Sequence, residues 1–248
     1  CLPEQAENEV TKIIKTIRDF YSLLGFNTTY VLATRPENYQ GDLAEWEKGE
    51  KLLANALKKT NIEYSIAKGE AAFYGPKIEM HLKDSQGRDW QLGTAQLDIA
   101  MIPERFDIKY IDEKGEKKTP TVIHRAIFGS FERFIGILLE HFQGALPLWL
   151  APVQAVLIPV SEKQNNTIQK IYEELKSNGI RTEIYESGET LPKRIREAEM
   201  QKIPYILVVG EKEEKNGSVN ARYKSKESEI KTEELIERIK KEIKEKTI

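Results

Sequence analysis

The sequence predicts two mixed domains, an α+β half followed by a small α/β half. Three observations point there. Hydrophobic spacing switches between the helical and the extended period over the first 148 residues, the segment Gly144 to Pro152 carries Pro147 and Pro152 like a connector, and beyond it short all-apolar runs alternate with helical stripes. The first half reads as an antiparallel sheet with helices over 1–148, and the second as a small mixed sheet covered by helices over 149–248.

Val10, Ile13, Ile14, Ile17, Phe20, Tyr21 and Leu24 recur at three and four, which predicts a helix that Gly25 can end in the left-handed conformation. Thr29 to Ala33 reads as a strand. Leu43, Trp46, Leu52, Leu53, Ala56 and Leu57 form a second helical stripe that ends near Asn61. Ile78, Met80 and Leu82 alternate with polar residues, Asp84-Ser85-Gln86-Gly87 can turn, and Trp90-Gln91-Leu92 resumes, which predicts a hairpin. Strict alternation from Trp90 to Asp98 puts Gln91, Gly93 and Ala95 on one face, and Leu92, Thr94 and Gln96 on the other. A further strand pair, Asp107 to Ile111 with Thr121 to Ala126, flanks the turn Glu113 to Glu116, and Ile127 to Phe142 traces a helix. The second half reads βαβαββα: strands at Ala155–Pro159, Thr182–Tyr185, Tyr205–Val209 and Val219–Tyr223, and helices at Ile168–Leu175, Leu191–Met200 and Thr232–Ile243 with Thr232 as N-cap.

The charge is 38 Lys+Arg against 40 Asp+Glu, net −2, which argues against a globally basic nucleic-acid binder but leaves local basic surfaces open. A 40% hydrophobic content suffices for a core in each half. No apolar run approaches the roughly 18 residues that cross a bilayer, and the first residues, CLPEQAENEV, lack a signal-peptide pattern, so a soluble cytoplasmic protein without membrane partners is expected. One cysteine excludes an internal disulfide, and three histidines leave too little for a self-sufficient metal cage. A chain beginning with Cys rather than Met is expected to be a piece of something longer.

Several segments have two readings. Gly69 to Lys77 sets Glu70, Tyr74 and Lys77 around a Gly-Pro turn that can aim an ammonium at phosphate and a phenol at a small polar substrate, or can simply be a surface turn. Trp90 to Asp98 can line a pocket or present one wet face. His124 to Arg133 runs from a strand into a helix, where Arg133 can reach a cleft or pair with Glu132 at the surface. His81 and His141 read as structural.

The strings GEAAFYGPKIE, WQLGTAQLD and IHRAIFGSFERFIGILLEHF, followed by LPLWLAPVQ, resemble the threonyl-tRNA synthetases, a family of class II aminoacyl-tRNA synthetases. The match runs in order over essentially the whole chain. The resemblance implies the later part of a class II antiparallel catalytic sheet, then an anticodon-binding domain. It also implies an enzyme that activates threonine with ATP and Mg2+ and transfers it to tRNA(Thr). On matching positions, His124 corresponds to one of three Zn2+ ligands, Arg133 to the motif 3 arginine on the nucleotide, and Lys77 to a lysine near the adenylate. Tyr74 corresponds to the tyrosine near the threonine amine, and Gln91, Thr94, Gln96 and Ser130 to pocket residues. Glu213 and Arg222 correspond to positions that contact anticodon bases. Zinc bound to the substrate hydroxyl would reject valine, which is isosteric but lacks that ligand.

Departures accompany the match. Motifs 1 and 2, two zinc ligands and the editing and N-terminal domains have no counterpart in these residues, and Cys1 matches a neighbour of a ligand. Leu92 stands where cysteine is common, Ala71 where glycine is, and Gly188 where an anticodon-contacting asparagine is often found. The resemblance therefore implies a homodimeric ligase when intact and an inactive fragment alone. The alternative is a non-catalytic tRNA-binding module derived from a synthetase.

Overall fold

The computed structural model describes residues 1–99 and 101–248. They form two compact units, Cys1–Leu138 and Leu139–Ile248.

In the first unit, α1 (Ala6–Leu23) follows a short 3-10 turn, and β1 (Thr28–Ala33), α2 (Leu43–Lys59), β2 (Tyr64–Ala67), β3 (Lys77–Lys83) and β4 (Asp89–Asp98) come next. Then follow α3 (Ile102–Arg105), β5 (Tyr110–Ile111), β6 (Lys117–Lys118), β7 (Val122–Ala126) and α4 (Phe131–His141), the last of which runs across the boundary between the units. The main sheet has the order β2-β1-β3-β4-β7, antiparallel except for the parallel β1–β2 pair. The apolar stripe of α1 buries Val10, Ile14, Ile17 and Tyr21, and that of α2 buries Trp46, Leu53, Ala56 and Leu57. Sheet residues Tyr30, Leu32, Ile78, Met80, Leu82, Ala95 and Leu97 are buried as well, each such large side chain being worth roughly 1.5–3 kcal/mol of transfer free energy. The helices cover one face only: a Cβ on Gly93 would lie 2.9 Å from Ile17, and one on Gly49 3.3 Å from Leu97. The other face is left to polar residues.

Four expectations need correction here. Val122–Ala126 pairs with β4 and not with 107–111, whose hairpin partner across the tight turn at Asp112 to Gly115 is the two-residue β6. The fourth helix begins at Phe131 rather than Ile127, and it buries Phe134, Ile137 and Leu138 while Phe131 and Ile135 stay 68% and 50% exposed. The edge strand β2 gave no sequence signal, since its residues are half-buried or exposed and lack alternation. The strict alternation through Trp90–Asp98 fails at a β-bulge, where Met80 pairs with Gly93 but His81 pairs with Gln91.

In the second unit, β8 (Ala155–Pro159), α5 (Asn165–Ser177), β9 (Thr182–Ile184), α6 (Leu191–Met200) and β10 (Tyr205–Val209) alternate before α7 (Glu211–Asn216), β11 (Ser218–Tyr223), β12 (Lys226–Lys231) and α8 (Thr232–Glu245). Its sheet has the order β12-β11-β10-β8-β9, parallel through β10-β8-β9 and antiparallel at β11 and β12. Alternate residues of β8 and β10 enter two cores. Ala155, Leu157, Tyr205, Leu207 and Val209 pack with Ile168, Ile171, Leu175, Leu235, Ile236 and Ile239, whereas Val156, Ile158 and Ile206 pack with Ala198 and Ile203. Burial on both faces explains why these two strands read as unbroken apolar runs. Relative to the expected βαβαββα order, α7 and β12 are additional. Both are charged and exposed, and β12, Lys-Glu-Ser-Glu-Ile-Lys, is the kind of edge that blocks further strand pairing. Thr232 is not the N-cap of α8; Lys231 holds that extended position, and Thr232 is buried as the first helical residue.

Candidate active site

Register builds the polar face of the first sheet into a floor. Lys77 pairs with Gln96, which pairs with His124; Glu79 pairs with Thr94, which pairs with Ala126; and the bulge sets Gln91 opposite His81. Three rows of polar side chains from β3 and β4 therefore lie side by side, with β7 completing the first row. The bulge corrects the expected placement of Gln91: it leaves the face of Gly93 and Ala95, and its Nε2 donates to Thr94 Oγ1 at 3.2 Å.

The turn before β3 hangs Tyr74 over this floor. Gly75 lies so close to β4 that a Cβ there would sit 1.7 Å from the Leu97 carbonyl oxygen, and backbone bonds from Leu97 N to Pro76 O and from Ile99 N to Tyr74 O fasten the turn. Tyr74 donates to Gln96 Oε1 at 3.0 Å, and Gln96, 6% exposed, donates through Nε2 to Gly75 O at 3.2 Å. The Tyr74 ring meets the His124 ring edge-on at 5.8 Å. His124 Nε2 lies 3.0 Å from Asp98 Oδ2, and Asp98, 2% exposed, also accepts hydrogen bonds from Met101 N and Ile102 N. Asp98 is a partner that the sequence reading left without a role.

Arg133, in the first turn of α4, donates to the Gln91 carbonyl at 2.9 Å and lies 5.3 Å from the centre of the Trp90 ring. Trp90 is in turn anchored: its Nε1 donates to Asp84 Oδ2 at 2.8 Å, and Arg88 pairs with the same oxygen at 2.5 Å. Burial opposes ionisation of Asp84, yet the Trp90, Arg88 and backbone hydrogen bonds hold its carboxyl well below the usual carboxylate range. Ser130 Oγ accepts from Arg133 N at 3.2 Å, so it caps the helix that carries the arginine. Tyr74, Lys77, Gln91, Thr94, Gln96 and His124 thus share one face, with Arg133 attached at its Gln91 end. His81, which reads from the sequence as structural, lies between Asp89 and Glu79. Its alternation with Lys77 and Glu79 was the available signal.

Zinc binding asks for about four ligand positions. Among the described residues no three His, Cys, Asp or Glu side chains gather as a metal cage, and at the Tyr74 end of the floor His124 offers an imidazole with Asp98 as its orienting carboxylate. The tautomer with its proton on Nε2, facing Asp98, leaves a lone pair on Nδ1, the arrangement typical of a metal-ligating histidine. His124 thus fits one ligand position of a metal ion that would need its other ligands from beyond this group of residues.

In the second unit, Glu213 and Arg222 meet different neighbours. Glu213 accepts from Gly210 N at 3.0 Å at the start of α7. Arg222 lies 3.1 Å from Glu227 and 3.9 Å from Glu199, with its buried Nε unpartnered. It lines a cavity of about 560 Å³ together with Tyr223, Lys224, Lys226 and Ile206. A side chain at Gly188 would meet open space.

Comparison with known proteins finds two family matches along the chain. Residues 1–142 match the tRNA synthetase class II core domain (G, H, P, S and T), and residues 154–242 match the anticodon binding domain. The chain is 49% identical over 244 residues to the threonine--tRNA ligase of Caldanaerobacter subterraneus subsp. tengcongensis, covering 97% of this chain and 38% of that one. It is 45% identical over 250 residues to that of Petrotoga mobilis, covering 100% and 39%. The crystal structure of the RNA binding domain of threonyl-tRNA synthetase from Cryptosporidium parvum Iowa II superposes with a TM-score of 0.90 at 36% identity, over 97% of this chain and 61% of that chain. The chain spans under two-fifths of the length of these curated relatives. With the core-domain match extending over more than half of its residues, the chain belongs to the class II tRNA synthetase core family (G, H, P, S and T), and an anticodon binding domain follows that core.

Proposed function

We propose that this chain carries part of the active site, in residues 1–148, and the anticodon-binding domain, in residues 149–248, of a cytoplasmic threonine--tRNA ligase that works as a homodimer on threonine, ATP and tRNA(Thr). The observation that carries the reading is the polar floor, on which Tyr74, Lys77, Gln91, Thr94, Gln96 and His124 share one face, in a chain 49% identical to a named ligase.

The reaction is attack of the threonine carboxylate on the α-phosphate of ATP, with pyrophosphate leaving and the adenylate then passing to tRNA. Negative charge builds on phosphate oxygens during that step, and fixed cations are what stabilise it. Arg133 is held by Gln91 and Trp90 where it can meet the nucleotide, and Lys77 rises from the same floor. Tyr74 and Gln96, already bonded to one another, would orient the amine of a small substrate. His124 would hold Zn2+ with ligands from outside these residues; the bound ion would supply Lewis-acid recognition of the threonine amine and hydroxyl. Mg2+ would balance the phosphates. Glu213 and Arg222 would read anticodon bases, the guanidinium by hydrogen bonding to base edges.

The test is threonine-dependent exchange of pyrophosphate into ATP by the natural gene product. Arg133→Ala is expected to reduce exchange by about two to three orders of magnitude, the usual loss on removing one fixed transition-state donor. Exchange that persists undiminished refutes the role given to Arg133. Absence of exchange in the parent, with tRNA binding retained, turns the assignment to a non-catalytic tRNA-binding module.

A further inference from the structure

Strand β3 sets Lys77, Glu79 and His81 at alternate positions, so all three stand on the polar face of the sheet. Glu79 is 8% exposed, and a carboxylate that far from water has to be paired and hydrogen-bonded. Both of its oxygens are engaged: Oε1 lies 2.5 Å from Lys77 Nζ, and Oε2 lies 3.2 Å from His81 Nε2. His81 is held from behind, its Nδ1 being 2.6 Å from Asp89 Oδ2. Asp89, His81, Glu79 and Lys77 form one continuous chain of contacts that ends on the ammonium.

We propose that Glu79 is a positioning residue that aims the Lys77 ammonium at the phosphate of the bound nucleotide, and that His81 and Asp89 fix Glu79 for that purpose. The inference rests on the placement of Lys77 near the adenylate given above. Lysine is a point charge on a flexible four-carbon stem, so it serves a phosphate well only when something aims it. One of its three N–H groups goes to Glu79, and the others remain for an oxyanion. The carboxylate cannot follow the ammonium freely, because its second oxygen is tied to His81. A lysine so tethered meets an incoming phosphate with its stem already ordered, which is where a positioning residue gains its effect.

The experiment compares threonine-dependent pyrophosphate exchange by the natural gene product with Lys77→Met, Glu79→Gln, Glu79→Asp, His81→Asn and the Lys77→Met/Glu79→Gln double variant, alongside thermal midpoints. Glu79→Gln is expected to lower kcat at least about tenfold with the KM for threonine unchanged, and the double variant to be no slower than Lys77→Met, because the two residues act as a unit. Glu79→Asp keeps the charge but withdraws it from Nζ and is expected to fall between Glu79→Gln and the parent. His81→Asn is expected to follow Glu79→Gln in direction. Activity of Glu79→Gln within about twofold of the parent, or losses that add in the double variant, overturn the proposal. Should Glu79→Gln not fold, Glu79→Asp decides by the same criterion of parental activity. A harmless Lys77→Met overturns instead the placement of Lys77 on which the inference rests.

Discussion

His124 and Asp98 stand 26 positions apart, and they meet because β4 and β7 pair with Gln96 opposite His124 and Leu97 opposite Ile123. A histidine read alone is more often a satisfied core residue than a ligand, and the spacing of three histidines in 248 residues suggests no cage. Tyr74, Lys77 and Gln96 pose the same difficulty. Each is an ordinary polar residue of a turn or a strand until the register sets them on one face, and no local pattern encodes that register. The resemblance to a family gave these residues and Arg133 their expected roles; what it did not supply were the contacts, Asp98 on His124, Glu79 on Lys77, and Trp90, itself held by Asp84, under Arg133. The partners yield a prediction. Under the proposed zinc role, the natural gene product carries one equivalent of zinc per chain, His124→Ala abolishes it, and Asp98→Asn weakens zinc affinity by about 10- to 100-fold, the usual effect of removing an orienting carboxylate. Metal analysis of dialysed protein, with chelator competition for the Asp98 variant, reads all three, and zinc retained by His124→Ala would contradict the assignment.

At the scale of elements, the turn from Tyr74 to Lys77 shows how tightly the site is built. Gly75 packs against the backbone of β4 with no room for a methyl group, since its Cβ would be 1.7 Å from Leu97 O. Gly75→Ala therefore has to push the turn off the strand, strain the Tyr74 and Pro76 backbone bonds to β4, and lose about 1–3 kcal/mol or more of stability in the first unit, as overpacking commonly does. Urea denaturation monitored at the tryptophans measures it, and a variant as stable as the parent would show that the contact relaxes freely. The sequence marks this segment as a Gly-Pro turn but cannot say that a strand carbonyl occupies the missing side chain's place. Elements with strong periodicity, such as the two opening helices and the apolar strands Ala155–Pro159 and Tyr205–Val209, are legible because burial dictates their pattern. The ones that escaped, β2, α3, β6, α7 and β12, are short or peripheral, with residues mostly half-buried or exposed, and burial writes little into the sequence there. The bulge at Gln91 and Leu92 is a subtler case. One extra residue moves Gln91 to the polar face, and nothing in Trp-Gln-Leu-Gly-Thr announces it.

At the scale of the whole molecule, each unit has its own core, and each core encloses phenols whose ionisation links folding to pH. Tyr21, fully buried in the first unit, donates to Ile127 O at 2.9 Å, and burial pushes its phenol well above the ordinary range. In the second unit Tyr205 and Tyr223 stack 4.2 Å apart and donate to the two oxygens of Glu242, at 2.9 and 2.6 Å, tying β10 and β11 to α8. Burial first, and then hydrogen bonding to the Glu242 carboxylate, raise both phenols. An unfolded tyrosine ionises near pH 10, so below that value both states are neutral and these groups contribute no pH dependence. Above it the unfolded chain releases protons that the folded chain keeps, the unfolded state gains, and stability falls by up to about 1.4 kcal/mol per pH unit for each phenol. Because the two cores are separate, the losses are separable. Hydrogen exchange read peptide by peptide between pH 9 and 11.5, after correction for the intrinsic rate, is expected to show declining protection in both units. Tyr21→Phe should lessen the decline in residues 6–126, where buried Tyr30 is raised as well, and Tyr205→Phe should lessen it in residues 155–245. A decline untouched by either substitution would show that Tyr21 and Tyr205 do not carry the alkaline loss, and would leave it to the other raised phenols, Tyr30, Tyr185 and Tyr223, or to the lysines. The expected result instead traces the alkaline limit of each unit to hydroxyl groups inside it.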